Sequence, residues 1–305
     1  MRQGNRLARL TTEAVNPASA EIDRLSPLEI VHLMNREDAH VAQAVGREAE
    51  AIARAIETIS DRIRHGGRLI YIGAGTSGRL GVLDASECPP TFRTPPELVV
   101  GIIAGGRDAL VRSAEGKEDH PEYGEHDLKA VELCDRDAVV GIATSGRTPY
   151  VIGGLRYAQN VGAATIGFSC NEDPELAGVS QILITPIVGP EVISGSTRLK
   201  AGTATKMVLN MLSTGTMVQL GKTYGNLMVD LRATNSKLQD RAERIMQRLT
   251  GLDLAAAREL LDHAGGEVKT ALVCHFRSVS ADDARRLLAE ADGHLRRVIE
   301  KATDR

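Results

Sequence analysis

Short apolar runs alternate with longer amphipathic stretches along most of the chain. The runs are rich in valine and isoleucine, and they lie at residues 68–72, 98–103, 138–143, 164–168 and, more weakly, 182–187. Their nearly continuous apolar character indicates strands that are covered on both faces. Because helical stretches separate the runs, they predict right-handed crossovers and a parallel sheet of about five strands. We therefore expect an α/β fold with three layers, in the order αβα.

Apolar residues elsewhere recur at three- and four-residue steps, which is the spacing of amphipathic helices. One such stripe predicts a single long helix over residues 35–64, ended by the glycines at 66 and 67. A second helix is predicted over residues 198–221, and it is apolar enough that we expect burial on most sides. Three further patterns, near residues 253–263, 267–276 and 281–299, predict a small helical domain that resembles ubiquitin-associated bundles.

These elements divide the 305 residues into three parts. A chain of this length also favours one main domain with a smaller second one. Residues 1–34 carry turn and cap signals with little apolar periodicity, which predicts an arm that docks on another surface, often that of a partner subunit. Residues 35–240 hold the predicted sheet. Residues 241–305 form the predicted C-terminal three-helix domain.

Composition excludes several classes of function. The formal net charge of −3 argues against nucleic acid as a partner, and an aromatic content of 3% leaves little material for stacked-ring recognition. No apolar run approaches the roughly 18 residues of a membrane span, and the polar N-terminus lacks the pattern of a signal peptide, so we expect a cytoplasmic protein. The four cysteines have no paired ligand spacing, which favours reduced thiols over disulfides or a metal site.

Candidate chemistry begins directly after the first predicted strand, where residues 73–78 read Gly-Ala-Gly-Thr-Ser-Gly. This spacing fits a dinucleotide loop, but the second strand ends at Ile103 without the acidic residue that a nicotinamide cofactor requires. We therefore expect no such cofactor. Gly75, Thr76 and Ser77 instead offer backbone N–H groups and two hydroxyls at the start of a helix, which suits a compact monophosphate.

The third predicted strand is followed by a similar loop that contains Ser145, Gly146, Arg147 and Thr148. Carboxyl ends of parallel strands meet at one edge of a sheet, so both loops are expected to face one crevice, where ligands of such folds bind. We predict that these residues and those of the first loop bind substrate. The alternative is that the hydroxyls merely cap the two helices that follow.

Two acidic segments are candidates for catalysis. Residues 84–90 carry Glu87 just before two prolines that stop the helix, and residues 115–121 carry Glu118 in a loop that contains glycine and proline. Spacing alone leaves open whether these glutamates are catalytic or simply solvated.

Six segments together resemble the N-acetylmuramic acid 6-phosphate etherase family of the sugar-isomerase (SIS) domain superfamily: residues 12–19, 69–81, 84–91, 143–150, 185–191 and 200–203. The likeness spans nearly the whole chain, and Asp-Ala-Ser-Glu-Cys-Pro-Pro at 84–90 is its most specific part. It implies a SIS domain, a cytoplasmic homodimer, a sugar-phosphate substrate and catalysis without a metal or organic cofactor. The family's acid, which protonates the departing lactyl oxygen, maps to Glu87, and a second required glutamate maps to Glu118.

The resemblance implies a carbon–oxygen lyase of peptidoglycan recycling. Such an enzyme removes D-lactate from carbon 3 of N-acetylmuramic acid 6-phosphate by elimination and then hydration, leaving N-acetylglucosamine 6-phosphate. Our hypothesis is that Glu87 protonates the leaving oxygen and Glu118 transfers the proton on carbon 2, with the opposite assignment open.

Lys200, at the start of a long helix, is expected to reach the substrate's carboxylate or phosphate. Two alternatives share this fold, a non-catalytic sugar-phosphate-binding regulator and an aldose–ketose isomerase.

Overall fold

A computed structural model describes residues 11–112, 115–231 and 236–300, except for the side chain of Lys237. They form two compact units, the first comprising residues 11–86 and 96–213 and the second residues 87–95 and 214–300. Within these ranges, no helix combines the length and the apolar character that crossing a bilayer requires.

Three α-helices precede the sheet of the first unit where the sequence predicted one. They are α1 (Pro27–Asp38), α2 (Val41–Gly46) and α3 (Ala49–Arg64). The predicted continuous helix over residues 35–64 is therefore wrong, although its apolar stripe is buried: Val41, Val45, Ile52 and Ile59 are at most 4% exposed. The break before α3 falls at Glu48, which leaves helical geometry and accepts a hydrogen bond from the backbone N–H of Thr185 at 3.0 Å.

The predicted sheet is confirmed. Its strands are β1 (Leu69–Gly73), β2 (Val99–Ile103), β3 (Ala138–Ile142), β4 (Ala164–Phe168) and β5 (Ile182–Ile184). All four pairings are parallel, and the spatial order is β2-β1-β3-β4-β5. Every residue of β1, β3 and β4 is buried, as the continuous apolar runs predicted.

Helices cover the sheet on both faces, which confirms the three-layer arrangement. The helices that connect the strands are α4 (Gly75–Phe92), α5 (Pro121–Ala130) and α6 (Pro149–Val161). Tyr71 of β1 faces α4, where its hydroxyl donates to Asp84 at 2.9 Å. Its neighbour Ile72 points to the opposite face and packs in one cluster with Leu128 of α5 and Leu155 of α6.

A buried carboxylate joins the amino ends of β1 and β3. Asp137 accepts hydrogen bonds from the guanidinium of Arg68 at 2.7 Å and from the backbone N–H groups of Arg68 and Cys134 at 2.9 and 3.1 Å. Burial by itself would raise the pKa of Asp137, but these hydrogen bonds and the charge of Arg68 outweigh it and hold the pKa below its usual range.

The predicted arm docks on its own chain where it is described. Residues 11–24 form three short 3-10 turns, and residues 1–10 of the arm lie outside the described ranges. Thr12 is fully buried, and its backbone N–H donates to the side-chain oxygen of Asn171 at 3.3 Å. Asn16 donates to Glu37 on α1 at 2.8 Å. The rest of the predicted arm, up to residue 34, is largely α1.

The second unit is mainly helical in the residues that the structure describes. Beyond residue 221, its described residues form a two-stranded hairpin, β6 (Thr223–Tyr224) with β7 (Leu227–Met228), and five helices: α8 (Ser236–Thr250), α9 (Leu254–His263), α10 (Val268–Arg277), α11 (Ala281–Glu290) and α12 (Leu295–Ile299). Residues of α8 to α12 share one apolar core with Val229 and Leu231. The predicted C-terminal helical domain is present, with α8 to α12 where the sequence pattern indicated three helices, and its predicted limits at residues 241–305 stay a prediction.

Helix α7 (Lys200–Gln219) confirms the long helix predicted over residues 198–221 and contributes residues to both units. Its burial is less complete than predicted. Leu209, Leu212 and Met217 are fully buried, but Met211 and Val218 are 39% and 46% exposed.

Candidate functional site

The sheet order creates a switch point between β1 and β3. These strands are neighbours, with Gly73 opposite Ile142, yet the chain leaves β1 toward β2 on one side and β3 toward β4 on the other. Connections that diverge in this way open a crevice at the carboxyl ends of the two strands, which is the binding site of open α/β sheets. The two loops that the sequence singled out both lie there.

The loop after β1 is tightly folded. A Cβ on Gly73 would lie 2.8 Å from the backbone nitrogen of Gly78, and a Cβ on Gly78 would lie 2.7 Å from the carbonyl oxygen of Gly73. Gly75 begins α4 with a positive φ of +53°, a conformation that favours glycine. Thr76 is half-buried and Ser77 is 8% exposed. The first backbone N–H groups of α4 have no partner within the helix, so they are available to an anion.

The loop after β3 also depends on a glycine. Gly146 has φ +74°, and a Cβ there would lie 2.3 Å from Pro174. Ser145, Arg147 and Thr148 are each half-buried. The Arg147 guanidinium lies 3.7 Å from the carboxylate of Glu175, so the loop also carries a positive charge that is only partly neutralised.

The hydroxyls of these loops are not simple helix caps. Thr148 occupies the cap position of α6 but makes no capping hydrogen bond through its side chain. Thr76 and Ser77 are the second and third residues inside α4 rather than its cap. Ser145 accepts a hydrogen bond from the backbone N–H of Arg147 at 3.3 Å, which stabilises the loop itself. Capping therefore does not account for these side chains.

Sequence reasoning missed a buried network that holds the second loop. Asn171, which follows β4, is 1% exposed and donates to the carbonyl oxygen of Thr144 at 2.8 Å. The same side chain donates to the hydroxyl of Thr12 at 3.1 Å. The arm thus supports the loop after β3 through Asn171. A polar residue just beyond a strand's carboxyl end was the available signal.

Glu118 lies in a short 3-10 turn, Lys117–Asp119, and is half-buried. This turn packs against α6, the helix that starts immediately after the second loop. Two glycines permit the close approach: a Cβ on Gly153 would lie 2.0 Å from the carbonyl oxygen of Pro121, and a Cβ on Gly124 would lie 2.0 Å from that of Tyr150. The fold therefore brings the segment of Glu118 to the helix that follows the second loop.

Lys200 is 3% exposed, and its ammonium lies 2.7 Å from the carboxylate of Glu37. The hydrogen bond from Lys200 holds the pKa of Glu37 below its usual range. Glu191, fully buried, accepts hydrogen bonds from the backbone N–H groups of Lys200 and Ala201, both at 2.9 Å. Burial raises the pKa of Glu191 against the effect of these donors. The charge of Lys200 is thus paired within its own unit, and its contact with substrate stays a prediction.

Glu87 is exposed on α4 and belongs to the second unit. Asp84, three residues earlier in the same motif, belongs to the first unit and is 4% exposed. Burial raises the pKa of Asp84, and hydrogen bonds from Tyr71 and Ser213 partly offset that effect. The motif therefore carries one buried structural carboxylate and one exposed carboxylate that is available to a ligand.

Among the residues that the structure describes, no group of three or more histidine, cysteine or acidic side chains is arranged to hold a metal ion. The four cysteines are free thiols, and burial raises the pKa of the Cys170 thiol well above its usual value.

The sheet order and the two loops at its switch point are those of a SIS domain, the class to which this chain belongs. Residues 51–159 match the family model described as the glucokinase regulatory protein N-terminal SIS domain. A solved structure from Bacteroides fragilis, described as a phosphosugar isomerase involved in capsule formation, has a TM-score of 0.50 and 22% identity over 64% of this chain and 91% of that one. That likeness concerns the fold alone.

Full-length relatives narrow the class to one family. A Rhodopirellula baltica protein named N-acetylmuramic acid 6-phosphate etherase is 62% identical over 295 residues, which is 97% of this chain and 98% of the relative. A Clostridium beijerinckii protein of the same name is 53% identical over 97% of each chain. The chain belongs to the N-acetylmuramic acid 6-phosphate etherase family, as its motifs indicated.

Proposed function

We propose that this protein is an N-acetylmuramic acid 6-phosphate etherase that releases D-lactate and forms N-acetylglucosamine 6-phosphate. The observation that carries the proposal is the pair of hydroxyl-bearing loops at the switch point of a chain 62% identical, over nearly its full length, to a relative of that name. Such loops suit the phosphate of the substrate, and the two glutamates suit the proton transfers.

The chemistry explains why two carboxyl groups are needed. In the open-chain aldehyde, the carbonyl acidifies the hydrogen on carbon 2, so a base removes that proton and its electron pair forms the double bond between carbons 2 and 3. The bond from carbon 3 to the lactyl oxygen breaks, and an acid protonates that oxygen. Water then adds at carbon 3 while a proton returns to carbon 2. Each positioned acid or base contributes about 10²- to 10⁴-fold.

The phosphate is bound at the start of α4 and in the loop after β3. Backbone N–H groups at Gly75 to Ser77 point toward an anion at this helix terminus, and the helix dipole favours its charge. Ser145 and Thr148 add hydroxyls, and the positive φ of Gly146 lets the backbone approach the ligand. Arg147 supplies a cation at the same loop.

Glu87 protonates the lactyl oxygen and then activates water, while Glu118 exchanges the proton on carbon 2. The exposure of Glu87 leaves its carboxylate open to a ligand, and the packing of the Glu118 turn against α6 supports access of Glu118 to a ligand at the crevice loops. The test is Glu87→Gln, assayed for free D-lactate and for exchange of the carbon 2 hydrogen with deuterated solvent. Lactate release is expected to fall by about 10²- to 10⁴-fold while exchange persists.

Glu118→Gln is the matched variant, because it makes the same change at the other carboxyl group. It is expected to abolish exchange and lactate release together. Persistent exchange in Glu118→Gln with lost exchange in Glu87→Gln would reverse the two roles. Lactate release at the wild-type rate in either variant would remove that glutamate from the mechanism.

Two other functions are suggested by similar proteins. The SIS match is named after a regulatory protein, and the structural likeness is named as an isomerase. A regulator would bind the sugar phosphate without turnover, and an isomerase would release no lactate. Incubation of the wild-type protein with N-acetylmuramic acid 6-phosphate, followed by a D-lactate assay, distinguishes the etherase from both.

The protein acts as a cytoplasmic homodimer in this proposal. The free thiols agree with a reducing compartment. Large apolar side chains on the first unit are strongly exposed in a single chain, among them Val15, Leu28 and Val31 at 72%, 64% and 61%. A second copy of the chain would cover such side chains.

A further inference from the structure

The end of α4 belongs to the C-terminal helical unit, although the start of the same helix lies in the loop after β1. Residues 87–95 are part of the second unit together with residues 214–300. Pro89 and Pro90 lie inside the helix, and neither has a backbone N–H to donate to the carbonyls of Ala85 and Ser86. The helix around Glu87 therefore has fewer backbone hydrogen bonds to hold it rigid. The position of Glu87 then depends on the contacts that hold the end of α4.

Arg93 provides that attachment. Its backbone N–H donates to the carbonyl of Pro89 at 2.9 Å, and it then takes a left-handed conformation with φ +52°. A residue with a side chain is strained there by about 1–2 kcal/mol, so the surrounding contacts must hold it. The guanidinium of Arg93 lies 3.0 Å from the carboxylate of Glu267, the residue that directly precedes α10.

Glu267 is itself held firmly. Its other oxygen accepts hydrogen bonds from Arg285 of α11 and from the hydroxyl of Thr270, each at 3.0 Å. Burial by itself would raise the pKa of Glu267, but these donors and Arg93 outweigh it and hold the pKa below its usual range. A fixed, ionised carboxylate on the helical unit thus receives the end of α4.

We propose that the Arg93–Glu267 ion pair, by fixing the end of α4, positions Glu87, the acid in the etherase reaction. Arg93 lies six residues beyond Glu87 and is a positioning residue, not a catalytic one. This inference rests on the proposed function, in which Glu87 protonates the lactyl oxygen. It gives a role to helices that the family's chemistry does not itself require.

The test is Arg93→Asn, because asparagine tolerates the left-handed conformation better than most residues but cannot form the ion pair. With N-acetylmuramic acid 6-phosphate, kcat for lactate release is expected to fall by about 10- to 100-fold, because a shift of a catalytic group by about 1 Å reduces the rate by up to about 100-fold. KM and exchange of the carbon 2 hydrogen are expected to stay near wild type. Arg93→Lys, which keeps the cation, is expected to recover most of kcat.

Arg285→Gln is the matched control, because it removes the other arginine from the same carboxylate while Arg93 and Thr270 still contact Glu267. It is expected to lower the thermal midpoint as Arg93→Asn does while leaving kcat near wild type. Combining Arg93→Asn with Glu87→Gln is expected to lower kcat no further than Glu87→Gln does, because Arg93 acts through Glu87.

Two results would overturn this inference. One is an equal loss of kcat in Arg93→Asn and Arg285→Gln, and the other is an unchanged kcat in Arg93→Asn when wild-type protein releases lactate. Absence of lactate release from the wild type would instead contradict the proposed function, so the two failures are distinguishable. Should Arg93→Asn not fold, Glu267→Gln tests the same pair, with the same expected split between lactate release and exchange.

Discussion

Buried charges in the first unit are satisfied by partners that are remote in sequence. Asp137 is fully buried and Lys200 nearly so. Arg68, 69 residues away from Asp137, supplies its cation, and Glu37, 163 residues away from Lys200, supplies its anion. An unpaired buried charge would cost several kcal/mol, so these pairings constrain the fold. The sequence shows that these charged residues are present, but their positions along the chain do not indicate which of them form pairs.

Asp137 makes stability depend on pH at the acid end. Its pKa in the folded protein lies below the unfolded value of about 3.9. Its contribution is therefore present above that unfolded value and is lost as the pH falls through the folded pKa. We expect Asp137→Asn to lower the free energy of unfolding by about 3 kcal/mol at neutral pH and to flatten the acid limb, measured by urea unfolding between pH 3 and 7.

Arg244→Gln is the control for this prediction. It removes the ion pair between Arg244 and Asp240, whose side chains are 75% and 57% exposed, respectively. Such exposed pairs contribute less than about 1 kcal/mol to the free energy of unfolding. An acid limb that keeps its wild-type slope in Asp137→Asn would show that other carboxylates govern acid unfolding.

At the scale of elements, close packing of α5 against α6 depends on glycines. The missing side chains of Gly124 and Gly153 let each helix approach the other's backbone carbonyls. The sequence pattern located β1 to β4 to within one residue and overran the end of β5 by three residues, but it did not indicate this contact. It is a consequence of how the crossover helices lie on one face of the sheet.

Gly153→Ala tests that contact. The added Cβ would lie 2.0 Å from the carbonyl oxygen of Pro121, so the helices must separate. We expect a loss of about 1–3 kcal/mol in the free energy of unfolding, and a lower kcat because the Glu118 turn moves with Pro121. Chemical denaturation and the lactate assay measure the two effects.

Gly46→Ala is the matched change in open space. A Cβ there meets no atom within 4 Å, and the residue lies in α2, so the variant is expected to gain about 0.5–1 kcal/mol. Equal effects of the two substitutions would mean that α5 and α6 do not need the close approach.

The apolar pattern predicted which helix faces are buried, but it did not predict every helix boundary. The stripe over residues 41–63 continues across the break between α2 and α3, so the periodicity alone predicted one helix. Helix α8 was missed because it is largely polar, although Ala242, Ile245 and Met246 are buried in the core of the second unit. Periodicity reports which face is buried, and backbone interruptions do not change that face.

At the scale of the whole molecule, exposed apolar side chains predict self-association. Leu28 and Val31 lie three residues apart on α1, so they share one face of that helix. If a second copy covers this face, sedimentation of wild-type protein will show a dimer, and Leu28→Asp with Val31→Asp will shift it toward monomer. We expect the dissociation constant to rise at least about tenfold, because each side chain contributes about 1.5–3 kcal/mol when buried.

Val111→Asp controls for the added charge, since Val111 is 85% exposed and lies on a different segment, just after a 3-10 turn. It is expected to leave the dimer intact. Unchanged sedimentation of the double variant would exclude the α1 face as the interface.

Sequence by itself determined the layers, the strands and the two loops at the switch point of the sheet, because burial on both faces and sharp strand-to-helix turns leave local patterns. It also carried motifs specific enough to indicate the family. Tertiary structure alone decided which residues meet: Asn171 with Thr12, Lys200 with Glu37, and the end of α4 with Glu267. Such contacts depend on how separate elements pack in space, and no periodicity along the chain encodes the distance between them.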